Sequence, residues 1–212
     1  MKITKYSHAC VRIERDGAVL VIDPGTFSEP EALDGVDAVL ITHEHFDHLD
    51  VDKLADALAR RPAVTVHTHP DVVPKLEAMA EVVHPVRSGE QFSAAGFSVR
   101  AYGGLHAVIH PDIPPVANLG FLVEESIYHP GDSFDVPVGA QVDTLFVPVS
   151  GPWLKLSESV DFVRAVAPRR AFALHDHLLS RAGGDVYDGG MRRLVECEYL
   201  RLAPGSTVDA TA

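Results

Sequence analysis

Residues 36–48 read VDAVLITHEHFDH, an apolar run that ends in a cluster of metal-binding residue types. The apolar part predicts a buried strand, so the polar side chains that follow lie at a strand end, where open α/β folds place their sites. Imidazole nitrogens and a carboxylate within one tight turn suit zinc or a similar divalent cation. Because one cation could hardly use all four side chains, the spacing predicts a dinuclear site, with His43 and His45 on one metal and Asp47 and His48 on its neighbour.

Strand and helix patterns alternate on both sides of this stretch. Residues 2–6, 9–14 and 18–22 predict an antiparallel meander, and Asp50 predicts the N-cap of a helix that Pro62 ends. Further strands are predicted at residues 63–66, 97–102, 119–123, 126–129, 143–147 and 171–174, and further helices over residues 70–80 and from a Ser157 cap to Pro168. The double glycines at 183–184 and 189–190 predict turns, and residues 203–212 predict a loose tail. The pattern is that of an α/β protein.

Length and composition limit the classes of protein to consider. The chain has 212 residues, 46% of them apolar and 23% charged, which suits a single domain over residues 1–212. A net charge of −12 without a basic stripe excludes nucleic acid as an expected partner. Two cysteines suit a reducing compartment, and no apolar run reaches the roughly 18 residues of a membrane-spanning helix. We expect a cytoplasmic protein with a small-molecule substrate and no membrane partner; its oligomeric state, including a homo-oligomer, is open.

The motif His-x-His-x-Asp-His resembles that of the metallo-β-lactamase superfamily, in which a lone His, a lone Asp and a final His follow. His106 in GGLHAVIH, Asp132 in YHPGDS and His175 in FALHD stand in that order. Ile22-Asp23-Pro24 matches a further signature of the family, and the resemblance runs from about His8 to His175. It implies a four-layer αββα sandwich, with two mixed β-sheets flanked by helices.

The resemblance also implies a complete ligand set. The first metal would be held by His43, His45 and His106, the second by Asp47, His48 and His175, with Asp132 as a bridge. Two divalent cations, most suitably Zn²⁺ with Mn²⁺ or Fe²⁺ as alternatives, would bring a bridging water to hydroxide near neutral pH. Asp47 is also a catalytic candidate, as the acceptor of the proton from this water.

Two finer resemblances concern the type of reaction. The opening YSHACVRIE and the stretch HAVIHPDIPPVANLGFLV are similar to the small bacterial hydrolases grouped with ascorbate-6-phosphate lactonase. His45 stands where oxygen-reducing diiron relatives carry Glu, so the resemblance favours hydrolysis over redox chemistry.

Several other residues have both a functional and a structural interpretation. Asp23 is expected to orient the ligand turn rather than only to form a turn, and His177 is a candidate for substrate binding or proton transfer. For His8 a place facing the metals and a place on the surface are equally open. His110 is expected to be solvated, and Trp153 is expected to plug the core rather than to wall a pocket. The remaining histidines are expected to be structural: His67, His69, His84 and His129.

These observations predict a dinuclear metal-dependent hydrolase acting on a small ester, lactone or phosphoester. Two alternatives stay open, a phosphodiesterase of the same superfamily and a metal-binding protein without turnover. No Gly-x-Gly-x-x-Gly stretch, phosphate loop or serine-nucleophile elbow occurs, which excludes nucleotide-binding and serine-hydrolase classes.

Overall fold

The computed structural model describes residues 1–210, which form two seven-stranded mixed sheets with helices outside them. The strands of the first sheet are β1 (Lys2–Lys5), β2 (Val11–Arg15), β3 (Ala18–Ile22), β4 (Ala38–Ile41), β5 (Thr65–Thr68), β6 (Val83–Pro85) and β14 (Ser206–Asp209). Those of the second sheet are β7 (Gln91–Ala94), β8 (Phe97–Leu105), β9 (Ala117–Val123), β10 (Ile127–His129), β11 (Thr144–Pro148), β12 (Arg170–Leu174) and β13 (Glu198–Leu200).

The two sheets are built alike. The first has the order β14-β1-β2-β3-β4-β5-β6, antiparallel from β14 to β3 and parallel from β3 to β6. The second has the order β7-β8-β9-β10-β11-β12-β13, antiparallel from β7 to β10 and parallel from there to β13. In each sheet the antiparallel strands thus lie on one side and the parallel strands, which need crossover connections, on the other.

The main core lies between the sheets and takes alternate side chains from both. Ile13 and Leu40 of the first sheet belong to the same buried cluster as Phe97, Phe121 and Phe172 of the second. A second cluster fills the space between the outer face of the first sheet and its helices, and a third does the same for the second sheet. The predicted four-layer sandwich of two mixed sheets flanked by helices is confirmed.

Helix α1 (Val51–Arg60) follows the ligand turn directly and forms as the sequence predicted. The Asp50 side chain accepts a hydrogen bond from the Lys53 backbone N–H at 3.1 Å, which satisfies one free donor of the first turn. Leu54 and Ala57 are buried against the first sheet, and the helix ends two residues before Pro62.

Two predicted helices differ in detail from the structure. Helix α2 spans Leu156–Val166, so its N-cap is Lys155 rather than Ser157, and the Glu158 side chain accepts a hydrogen bond from the Lys155 N–H at 2.6 Å. The predicted helix over residues 70–80 is instead a kinked 3₁₀ segment, Val73–Val82.

Two predictions for the C-terminal part of the chain are wrong. The double glycines lie inside helix α3 (Arg181–Leu194), which begins at a Ser180 N-cap. The tail is not loose over 206–209, because β14 pairs with β1 along its whole length; positions 211 and 212 lie outside the described residues. Within residues 1–210, none of the helices has the length and apolar composition that a bilayer-spanning helix needs.

Candidate metal centre

Six strand ends meet at one edge of the sandwich and carry the polar side chains of the site. From the first sheet, His8 lies in the turn between β1 and β2, Asp23 follows β3, and the segment THEHFDH follows β4. From the second sheet, His106 follows β8, Asp132 lies just beyond β10, and His175 follows β12. The site is therefore assembled from both sheets.

The first group of candidate ligands contains His43, His45, His106 and Asp132. Each offers one ligand atom, and these atoms all lie within 4.8 Å of one another. The His43 Nε2 and His45 Nδ1 atoms are 3.0 Å apart, and His106 Nε2 is 3.3 Å from Asp132 Oδ2. The sequence predicted this combination of three histidines with the aspartate.

The second group contains His8, Asp47, His48 and His175, whose ligand atoms also lie within 4.8 Å of one another. Asp47 Oδ2 is 3.3 Å from His175 Nε2 and 2.9 Å from His8 Nε2. The structure thus brings together the three residues predicted for the second metal. It adds His8, whose position the sequence left open.

Asp132 lies between the two groups and faces both. Its Oδ1 is 3.2 Å from His48 Nε2, while its Oδ2 is 3.1 Å from His175 Nε2 and 3.9 Å from His43 Nε2. The carboxylate is buried, and the Asp132 backbone N–H donates to the Asn118 side-chain oxygen at 3.0 Å, which fixes the residue in place. A single carboxylate thus contacts histidines of both groups, as the bridging prediction requires.

Asp23 supports the ligand turn from behind. Its carboxylate accepts hydrogen bonds from the Thr42 N–H at 2.8 Å and the Thr42 hydroxyl at 2.7 Å, and its Oδ2 is 2.7 Å from His48 Nδ1. A carboxylate on the far ring nitrogen of a ligand histidine fixes the ring and leaves the other nitrogen for a metal. The structure places Asp23 where the sequence analysis expected an orienting carboxylate.

Close backbone packing also fixes the turn. A Cβ atom at Gly25 would lie 1.9 Å from the Asp47 carbonyl oxygen, so only glycine fits there. The Thr26 N–H donates to the Phe46 carbonyl at 2.9 Å, and the Lys53 ammonium donates to the Gly25 carbonyl at 2.8 Å. Sequence reasoning missed this support, although the Asp-Pro-Gly that follows β3 is a turn signal.

Three site residues have left-handed backbone conformations, which non-glycine residues rarely adopt. The φ angles are 62° at His8, 51° at Asp23 and 58° at His175. Such conformations cost about 1–3 kcal/mol each and persist where the surrounding structure holds them. The His175 N–H donates to the His8 carbonyl at 3.1 Å, so two of these residues support each other.

Unpaired buried atoms test whether the site suits a metal. Seven buried side-chain nitrogen or oxygen atoms within residues 1–210 have no hydrogen-bond partner, and six of them belong to the two groups. They are His8 Nδ1, His48 Nε2, His106 Nε2, Asp132 Oδ1 and both ring nitrogens of His175. An unpaired buried polar atom costs about 1–3 kcal/mol, and bound cations would supply partners for those that meet at Asp132: His48 Nε2, His106 Nε2, His175 Nε2 and Asp132 Oδ1. Imidazole and carboxylate donors therefore fit divalent cations at this site.

The charges of the site agree with this fit. Burial alone would raise the pKa of Asp132, but His48 and His175 hold it well below its usual range. Burial opposes protonation of His175, yet the neighbouring Asp132 and Asp47 raise its pKa to about 9. Without cations, protonated histidines thus balance the two carboxylates. Cations would take over that role, since ligand imidazoles must be neutral.

His177, a predicted site residue, and Trp153, predicted as a core plug, both lie outside the two groups. The His177 ring stacks on Phe27 with the ring centroids 4.8 Å apart, and it lies 6.5 Å from the His8 ring. Its catalytic role stays a prediction. Trp153 is buried, as a core plug would be, but its ring lies 5.6 Å from His106 and 5.9 Å from His175. It therefore also forms a wall of the site.

Comparison with known proteins identifies the family. A family model described as "Beta-lactamase superfamily domain" matches residues 2–175. Protein Rv0786c of Mycobacterium tuberculosis is 39% identical over 214 residues, covering 98% of this chain and 99% of the relative. A UPF0173 metal-dependent hydrolase of Carboxydothermus hydrogenoformans is 28% identical and covers 98% of this chain and 99% of its own length.

A solved structure shows the same fold. Igni18, a novel metallo hydrolase from Ignicoccus hospitalis, matches with a TM-score of 0.77 at 18% identity, over 98% of this chain and 97% of that one. The names of these relatives do not bear on the ascorbate-6-phosphate lactonase group, so that finer resemblance stays a prediction. The family match, the nearly full-length relatives and the shared fold show that the chain belongs to the metallo-β-lactamase superfamily, alongside relatives named as metal-dependent hydrolases.

Proposed function

We propose that this metal-dependent hydrolase works with two divalent cations and cleaves a small ester, lactone or phosphoester. The observation that carries the proposal is the pair of ligand groups, with Asp132 facing both of them. Neither Asp47 nor Asp132 takes a lysine or arginine partner among the ion pairs described within residues 1–210; both carboxylates pair with histidines. Two cations would neutralise the negative charge of these two carboxylates.

Held by these residues, two divalent cations would lower the pKa of a bound water towards neutral pH and polarise the scissile group of a substrate. Most of the ligand side chains are fully buried and hold a fixed geometry, whereas His45 and Asp47 are only partly buried. Asp47 uses its Oδ2 atom for His8 and His175. We assign to this carboxylate the acceptance of the proton from the nucleophilic water, for which its partial exposure is suited. The histidine-rich donor set supports Zn²⁺, with Mn²⁺ and Fe²⁺ as alternatives.

The surroundings of the site support a substrate with an apolar part. Phe46, between two ligands of the turn, is 62% exposed, and Leu105, next to His106, is 60% exposed. Ile113 lines a small cavity together with His45 and His106. Exposed apolar side chains grouped around a polar centre are typical of sites that bind organic ligands. We therefore place an ester or lactone with an apolar substituent ahead of a phosphoester.

The test combines metal analysis with a substrate panel. His43→Ala removes a ligand of the first group, and Asp132→Ala removes the carboxylate that faces both groups. Both variants should therefore lower the bound Zn²⁺ measured by elemental analysis and abolish hydrolysis. His110→Ala is the matched control, since this exposed loop histidine lies outside both groups. Full metal content in both ligand variants would refute the assignment.

The panel contains p-nitrophenyl esters, lactones of increasing acyl length and bis-p-nitrophenyl phosphate, each with added Zn²⁺ or Mn²⁺. Ester or lactone turnover that rises with acyl length would support the proposal. Turnover of the phosphodiester alone would favour the phosphodiesterase alternative. A protein that holds both cations and turns over nothing in the panel would favour a metal-binding protein without catalysis.

A further inference from the structure

His8 contacts the second group in two ways. Its ring Nε2 is 2.9 Å from Asp47 Oδ2, and its backbone carbonyl accepts the His175 N–H at 3.1 Å. The His8 and His175 rings are 3.9 Å apart between centroids. His8 is 1% exposed, and among the described ring contacts its partners include no histidine of the first group.

The turn that carries His8 is itself held in place. The Tyr6 N–H donates to the Cys10 carbonyl at 2.9 Å and closes the turn between β1 and β2. The Ser7 N–H and hydroxyl donate to Glu29 at 2.9 Å and 2.6 Å. A residue anchored in this way can hold a partner side chain at a fixed position, because its own rotamer and backbone are not free.

We propose that His8 is a positioning residue for the second cation: its Nε2–H donates to Asp47 Oδ2 while its carbonyl holds the His175 backbone. Two of the three predicted ligands of that group are then oriented by one residue. His8 itself is not a ligand in this arrangement, since its Nε2 is used on Asp47. Its loss should weaken the second cation and leave the first group intact. The inference rests on the proposed dinuclear function.

The experiment is a Zn²⁺ titration of the metal-free full-length chain by calorimetry, with elemental analysis after dialysis. The variants are His8→Ala, His8→Gln and the control His110→Ala. Glutamine places an amide N–H near the position of Nε2, and it carries the same left-handed backbone cost as alanine at a φ of 62°. The comparison of the two His8 variants therefore isolates the side-chain hydrogen bond. Thermal unfolding of each metal-free variant reports separately on folding.

We expect the wild type, His110→Ala and His8→Gln to bind two Zn²⁺, with His8→Gln within a few-fold of wild type. We expect His8→Ala to bind one Zn²⁺ normally and the second about 10–100-fold more weakly, the usual effect of removing a hydrogen-bond partner of a ligand. Wild-type affinity for both cations in His8→Ala would overturn the inference. So would a folded His8→Gln that is as weak as His8→Ala. A wild type that binds fewer than two cations would overturn the dinuclear function, and with it the second site.

Discussion

Asp23 shows how one side chain outside the ligand set determines the geometry within it. The carboxylate accepts from the backbone and hydroxyl of Thr42, at the start of the ligand turn, and lies 2.7 Å from His48 Nδ1 near its end. It is fully buried, so each of these contacts is made without competition from water. The orientation of the turn and the tautomer of His48 are thus coupled.

The first prediction concerns this coupling. Asp23→Asn keeps the size and tolerates the left-handed backbone, but its amide group presents one acceptor oxygen where three donors now converge. We expect Zn²⁺ affinity to fall about 10–100-fold at the second group, measured by calorimetric titration. Asp56→Asn, an exposed carboxylate on α1, is the control. Wild-type titration curves for both variants would contradict the role of Asp23.

The second prediction concerns His67, a histidine of β5 that belongs to neither ligand group. Its ring stacks on Phe92 and His84, and burial together with His84 lowers its pKa to about 4. The unfolded chain, with a histidine pKa near 6.5, therefore binds a proton first as the pH falls. Because of this residue, the free energy of unfolding should fall as the pH is lowered from 6.5 to 4. Above pH 6.5 the residue should have no effect on the pH dependence of stability.

His67→Phe keeps the stacking and removes the titration. The pKa of His67 falls from 6.5 to about 4, and each pKa unit is worth about 1.4 kcal/mol of stability. Solvent screening beside the edge strand β6 reduces the expected effect on the free energy of unfolding to the order of 1–2 kcal/mol. Urea unfolding at pH 7 and pH 4.5 should show a loss of stability smaller by that amount in the variant than in wild type. An identical loss in both proteins would show that His67 does not titrate in this way.

At this scale the motif residues could be predicted and His8 could not. His43, His45, Asp47 and His48 are close in sequence, so their spacing alone brings them together. His8 reaches Asp47 only because β1 and β2 share a sheet with β3 and β4, and because its carbonyl meets the end of a strand in the other sheet. No local pattern encodes such a contact, which is why its two interpretations stayed balanced.

At the scale of elements, sequence prediction succeeded where local chemistry and tertiary packing agree. Helix α1 has a capping aspartate, an apolar stripe and a terminating proline, and each signal favours the same boundaries. Helix α3 contains four glycines, each unfavourable in a helix by about 1 kcal/mol relative to alanine. Its helical state is decided by packing, since Met191 is fully buried against the second sheet and Gly190 allows the close approach of α2. Strand β14 likewise depends on its partner β1.

The third prediction uses two neighbouring glycines of α3 as a matched pair. Gly189 is exposed and a Cβ atom there would meet nothing within 4 Å, whereas at Gly190 it would lie 2.6 Å from Leu156 Cδ2 of α2. Gly189→Ala should raise the free energy of unfolding by about 0.5–1 kcal/mol, because alanine loses less backbone entropy on folding. Gly190→Ala should raise the free energy of unfolding by less than this, or lower it, since Leu156 must move. Urea unfolding of both variants checks this; equal gains would mean that the two helices are not in contact there.

At the scale of the whole molecule, the site lies between the two sheets and takes ligands from both. The first group takes two histidines from the end of β4 and its other two members from the second sheet. The second group takes three members from the first sheet and His175 from the second. The four-layer arrangement followed from the resemblance to a known family. The element pattern alone indicated only an α/β protein, because helix and strand order does not state how two sheets face each other.

The fourth prediction follows from this placement of each ligand group across the two sheets. A cation in either group would connect residues of both sheets, and binding to the folded state alone stabilises it by about 2.7 kcal/mol at a hundredfold excess over the dissociation constant. For a chain of this length each kcal/mol shifts the unfolding temperature by about 2–4 °C, so Zn²⁺-loaded protein should unfold roughly 5–10 °C above chelator-treated protein.

His110→Ala should keep this difference. Asp132→Ala should lose most of it, because its carboxylate faces both groups. Calorimetric scans of the loaded and chelated forms measure the shift. Coinciding unfolding temperatures for the wild type in the two forms would mean that cations do not join the sheets.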